Sequence, residues 1–135
     1  RSFKFSKTFS KVVRHEMNYM VIGLGSMGKR RIRLLKKNLG EINLVGIDRN
    51  PDRLNEVKEQ FGIETFENVE EAMAQMEIIG ALVCTSPITH SKIILDCLKK
   101  KLHVFTEINL LNENYDELIA TEKENIEPGS SCLCF

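Results

Sequence analysis

An excess of charge of either sign is missing from this chain: its 135 residues carry 19 Lys and Arg against 19 Asp and Glu. That balance argues against a dedicated nucleic-acid binder, which would show a basic excess. No apolar run approaches the roughly 18 residues that a membrane helix needs, so no membrane partner is expected. Cysteine is sparse, and the four present lack the spacing of a disulfide framework or a zinc site, so no metal is expected. Cys84 and Cys97 lie in periodic apolar segments, where a reduced thiol behaves as a small hydrophobe. A reducing, cytoplasmic setting fits that usage best. No internal repeat or low-complexity block interrupts the chain. Its length suffices for one domain with a real core and falls short of two ordinary ones.

What is present is an alternation of element types. Residues 1–16 stand apart as a basic extension ahead of Met17; the competing reading is an amphipathic transit-like segment. Tyr19–Ile22 is a short apolar run stopped by glycine, hence a buried strand. A basic amphipathic helix over 26–39 ends at Gly40, and Ile42–Ile47 forms the second strand. Asn50-Pro51 opens the next helix as cap and first residue, and Gly62 closes it. A short strand over 63–66 leads to a helix capped by Asn68. Ile78–Cys84, apolar throughout, has the look of a central parallel strand. Thr89 opens a helix with Ile93, Ile94, Cys97 and Leu98 on one face, and Leu102–Phe105 is the fifth strand. An acidic helix is expected over 112–124. The domain is thus expected over 17–125, with 126–135 as a loose tail. Five strands alternating with helices demand a doubly wound parallel α/β sheet with helices on both faces, a Rossmann-type fold.

The chemistry concentrates at Gly23-Leu24-Gly25-Ser26-Met27-Gly28. A lone G-x-G-x-x-G is a weak signal, but here it follows an apolar strand and opens a helix. Gly23 permits the tight turn, Gly25 lets backbone approach a pyrophosphate, and Gly28 lets helix and strand pack closely. Free N–H groups and the helix dipole then favour phosphate charge. The competing reading is a tight turn that binds nothing. Lys29, Arg30, Arg31 and Arg33 read as a solvated helix face. Asp48 ends the second strand about 20 residues beyond Gly28, where a carboxylate accepts ribose hydroxyls and repels a 2′-phosphate. That places NAD ahead of NADP, although Arg49 next door is suited to a 2′-phosphate or to stacking on adenine. Asp48 also reads as a helix-initiating acid. Thr85, Ser86, Pro87, Thr89 and His90 follow the central strand, either facing a nicotinamide or merely shaping a helix start.

Gly23–Gly28, Asp48-Arg49, Thr85-Ser86-Pro87 with His90, and Val104-Phe105-Thr106-Glu107 occur in an order that resembles the N-terminal domain of the Gfo/Idh/MocA oxidoreductases, over about residues 17–125. The resemblance implies a pyridine-nucleotide enzyme that transfers hydride between NAD(H) and a sugar, polyol or derivative. It implies that Gly23, Gly25, Ser26, Met27 and Gly28 hold pyrophosphate and that Asp48 and Arg49 hold the adenosine ribose. Thr85, Ser86, Pro87, His90 and Glu107 would line the nicotinamide side. It leaves room for a homo-oligomer. Two features depart from the family. Glu107-Ile108-Asn109 stands where the family has Glu-Lys-Pro, and Ile108 has no titratable atom to replace the lysine. The family's C-terminal substrate domain has no counterpart in the 135 residues, so the chain reads as a fragment or truncated reading frame. The alternative is a non-catalytic dinucleotide-binding module, a redox sensor or subunit. The terminal Cys132-Leu133-Cys134-Phe135 matches a prenylation pattern, and Cys132 with Cys134 could pair on a metal, but both are read as accidents.

Overall fold

The computed structural model describes residues 17–106, 120–121 and 132–134. Its strands are β1 (Asn18–Ile22), β2 (Asn43–Ile47), β3 (Glu64–Phe66), β4 (Ile78–Val83), β5 (His103–Thr106) and β6 (Cys132–Cys134). Between them run α1 (Ser26–Leu39), α2 (Pro51–Phe61), α3 (Val69–Gln75) and α4 (Pro87–Lys99). The sheet order is β3-β2-β1-β4-β5-β6, with every neighbouring pair parallel. This is the doubly wound arrangement expected from the alternation. The order reverses beside β1: the chain steps one way to β2 and β3, then crosses back to β4 on the other side.

Strand side chains alternate between two separate cores. Met20, Ile22, Val45, Ile47, Ala81, Val83 and Val104 pack with Ala72 of α3 and Ile94, Leu95 and Leu98 of α4. Val21 and Leu44 face the other way, with Ile32 of α1 and Leu54 and Val57 of α2. The helix ends follow the sequence closely. Asn50 Oδ1 accepts the Asp52 N–H at 2.9 Å, and Asn68 Oδ1 accepts the Glu71 N–H at 2.8 Å. Gly62 closes α2 with φ 65°, a left-handed conformation that favours glycine.

Three expectations are corrected. α4 begins at Pro87 rather than Thr89. Proline suits the first helical position because its missing N–H would be unpaired there anyway, and Thr89 Oγ1 donates back to the Ser86 carbonyl at 3.2 Å. Residues 132–134, expected in a loose tail, pair with β5 as a sixth strand, Val104 opposite Cys132 and Thr106 opposite Cys134. Pairing satisfies an edge strand's main-chain groups, a gain that polar, turn-rich flanking sequence does not reveal. Finally, β4 stops at Val83, so Cys84 belongs to the loop at its carboxyl end. The extension over 1–16 lies outside the described residues, as does the expected acidic helix over 112–124, except Ala120 and Thr121, which are helical.

Since the sheet separates the two cores, they should fail independently. Leu98→Ala (1 % exposed) and Ile32→Ala (0 % exposed) should each cost about 2–5 kcal/mol in urea unfolding. The double variant should cost their sum within about 0.5 kcal/mol.

Candidate functional site

The turn from β1 into α1 is built from backbone. Gly23 has φ 93°, and a side chain there would meet the main chain of Cys84 at 2.9 Å. A Cβ on Gly28 would run into the Gly23 carbonyl oxygen, so loop and helix touch with nothing between them. Gly25 differs from both. Its φ of −74° is open to any residue, and a Cβ there would meet only Nη1 of Arg53, at 3.9 Å. Gly25 is also the N-cap of α1 and offers no side-chain cap. The first N–H groups of a helix have no intrahelical partner, so those of Ser26 and Met27, both exposed residues, are left to solvent or a ligand at the positive end of the helix dipole.

This cradle opens onto a hollow of about 600 Å³ at the carboxyl ends of the strands, lined by Gly23, Gly25, Asp48, Arg49, Arg53 and Thr85 among others. Crevices at this reversal of strand order are where open α/β sheets bind ligands. A second hollow, also about 600 Å³, is lined by Met27, Leu35, Leu82, Thr85, His90 and Phe105 among others. Cys84 and Thr85 line both.

Asp48 joins the parts. Its Oδ2 accepts the Leu24 N–H at 2.8 Å and its Oδ1 accepts the Asn50 N–H at 2.9 Å. Arg53 Nη1 stands 3.5 Å from the same Oδ2. Burial raises the Asp48 pKa, but the Asn50 and Leu24 N–H groups and the Arg53 guanidinium together outweigh it and hold the carboxyl below its usual value. Asp48 therefore shapes the start of α2 and also lines the hollow.

The structure brings Gly23, Gly25, Asp48, Arg49, Thr85 and Ser86 around the first hollow and Met27, Thr85 and His90 around the second. Gly28 is buried behind the cradle, where it packs rather than faces solvent. Pro87 contributes the first residue of α4. Glu107, with Ile108 and Asn109, lies outside the described residues. His90 is more deeply set than its sequence suggests. It is 4 % exposed, and Nε2 is bonded to the Val83 carbonyl at 3.0 Å. Its Nδ1, Thr85 Oγ1 and Ser91 Oγ are buried with no hydrogen-bond partner among the described residues. A buried polar atom left so costs about 1–3 kcal/mol. Cys97, by contrast, is inert, because burial pushes its thiol up to about 12.

Arg53 is the site residue that the sequence reading missed. A signal was available: the first turn of a helix favours acids, and a cation at the third position of α2 runs against that preference.

The sequence profile of an oxidoreductase family with an NAD-binding Rossmann fold, Gfo/Idh/MocA, matches residues 17–126. The chain belongs to the Gfo/Idh/MocA oxidoreductase family. It is 34 % identical over 111 residues to a myo-inositol 2-dehydrogenase of Thermotoga maritima, across 80 % of this chain and 33 % of that protein. Among solved structures it resembles myo-inositol 2-dehydrogenase from Lactobacillus plantarum, with TM-score 0.77 and 22 % identity over 88 % of this chain and 36 % of that one. It also resembles the WlbA dehydrogenase from Bordetella pertussis in complex with NADH and UDP-GlcNAcA, with TM-score 0.73 and 18 % identity over 82 % of this chain and 34 % of that one. At those identities the two structures speak to the fold. The chain thus spans about a third of the length of these Gfo/Idh/MocA relatives.

Gly25 and Gly28 should separate on substitution. Gly28→Ala should lower unfolding stability by about 3 kcal/mol or more, whereas Gly25→Ala should cost no more than about 1 kcal/mol, the preference for glycine over alanine at an N-cap. For Asp48, a lowered folded-state pKa means stability that is present above the usual aspartate value and lost as pH falls through the folded one. Wild type should therefore lose stability relative to Asp48→Asn as pH drops below about 4, read by thermal melts across the acid range.

Proposed function

We propose that this chain holds NAD(H) for an oxidoreductase that transfers hydride between the nicotinamide and a sugar, polyol or derivative. The observation that carries this reading is the uncapped start of α1 with a side-chain-free Gly25 in front of it, open to the hollow where strand order reverses. A dinucleotide fits these residues: the N–H groups at Ser26 and Met27 bind the diphosphate, and Gly25 admits it. Asp48 and Arg49 hold the adenosine ribose, and NAD is preferred over NADP because the carboxylate repels a 2′-phosphate. Thr85 Oγ1 and His90 Nδ1, buried without partners among the described residues, orient the nicotinamide end, with Ser86, Pro87 and Glu107 around it. The bound nucleotide supplies hydride acceptance and donation.

The sugar or polyol class is taken from the inositol dehydrogenase and from the nucleotide-sugar complex described above. The three relatives are dehydrogenases, which lends no support to a module without catalysis. Proton handling does not pass through position 108, since isoleucine has no titratable atom. Cytoplasmic residence is part of the same reading, since the cysteine spacing is not that of a disulfide framework.

Titration of the full chain with NADH, followed by dihydronicotinamide fluorescence, should saturate. Gly25→Val should weaken that binding by about tenfold or more, since its side chain fills the space a diphosphate needs, with an unchanged melting temperature. Absence of binding to either NADH or NADPH, or a Gly25→Val variant that binds like wild type, overturns the assignment.

A further inference from the structure

Cys84 and Cys97 differ in reach. Cys97 is buried and inert, whereas Cys84 is half-buried. Cys84 stands at the carboxyl end of β4, lines both hollows, and packs against the edge of the core on the α1 side of the sheet. Its main chain is the wall behind the glycine turn, since a Cβ on Gly23 would meet it at 2.9 Å. Two features mark it as more than a core filler. α4 begins three residues further on with no side-chain cap at Ser86, so the positive end of its dipole lies at this loop and favours a thiolate. The hollow beside α1 is also built for a polar occupant. His90 lines it, 4 % exposed, with Nε2 turned to the Val83 carbonyl and Nδ1 unpartnered among the described residues. Arg31 adds a cation to the same wall.

We propose that Cys84 is a modification site for a small anionic disulfide of the glutathione class, and that the mixed disulfide closes the crevice to the dinucleotide. This rests on the dinucleotide reading above and adds a redox control to the same site. The chemistry is thiol–disulfide exchange. The Cys84 thiolate attacks one sulfur of the disulfide, whose S–S bond breaks as a new one forms to Cys84. The other half leaves as a thiolate and takes up the proton that Cys84 gave up. The Cys84 sulfur is oxidised and the departing sulfur reduced, so the reagent is the only oxidant required. Excess thiol reverses the exchange. The hollow of about 600 Å³ has room for the adduct, and Arg31 offsets its carboxylates. The adduct then lies beside Thr85 and His90, assigned above to the nicotinamide end, and beside Met27 at the start of α1. It competes for the space the dinucleotide takes.

The test is incubation of the full chain with oxidised glutathione, read by peptide mass spectrometry and by NADH fluorescence titration before and after treatment. Cys84 should carry the adduct and Cys97 should not. NADH at about ten times its dissociation constant should slow the adduct at Cys84 about tenfold, since roughly one site in eleven then stands open. The treated chain should bind NADH about tenfold more weakly or worse, with its far-ultraviolet dichroism kept, and should recover with dithiothreitol. Cys84→Ser, treated likewise, should bind NADH as it does untreated, which separates Cys84 from the thiols of Cys132 and Cys134. In a chain that binds NADH, no adduct at Cys84, or an adduct there that leaves the affinity unchanged, overturns the proposal and leaves the cofactor assignment standing. So does a loss of binding that tracks loss of the dichroism, or one that Cys84→Ser shares. A chain that binds no NADH before treatment removes the cofactor assignment and this proposal together.

Discussion

The Asp48 carboxylate accepts two main-chain N–H groups from different parts of the chain, Leu24 in the glycine turn and Asn50 at the entry to α2. The turn after β1 and the turn after β2 are otherwise joined by strand pairing, with Ile22 opposite Ile47, and by the Gly23 N–H donating to the Ile47 carbonyl. Asp48 extends that pairing past the last residues of both strands. Charge-assisted bonds to backbone N–H groups are stronger than neutral ones. That strength shows in the lowered pKa of a group whose partial burial works the other way. A firm floor follows, joining the glycine turn to the start of α2 at this end of the crevice.

The sheet explains why the floor lies where it does. β1 is flanked by β2 on one side and β4 on the other, and the connections that leave its two neighbours run to opposite faces. Their loops part at the carboxyl ends and leave a gap that no side chain of the core fills. The hollow lined by Gly25 and Asp48 occupies that gap, and the other runs beside α1 along Leu82 and Phe105, the two sharing Cys84 and Thr85.

Much of this was legible in the residues because it rests on short-range rules. Asn50, Pro51, Asn68 and Gly62 mark helix ends by local hydrogen bonding and permitted φ, and they act as expected. The role of each glycine in the first turn follows from motif and context, and the distances distinguish Gly28, which packs, from Gly25, which opens outward. What escaped depends on tertiary placement. Nothing near His90 in sequence shows that its ring reaches back to the Val83 carbonyl and is buried there. Arg53 looks like one more surface cation until α2 is laid beside β2 and its guanidinium meets Asp48. The sixth strand was hidden for a similar reason: three residues carry no period worth reading, and their partner lies far back in the chain.

The contact of Gly28 with the carbonyl of Gly23 has a thermodynamic consequence for any ligand that arrives at the turn. Main chain resting on main chain has no rotamers to freeze, so the receiving surface loses little conformational freedom when it is filled. Ordering of loops and side chains is a principal cost of association. Here that ordering is completed during folding. Discrimination among ligands is then left to the side chains around the rim.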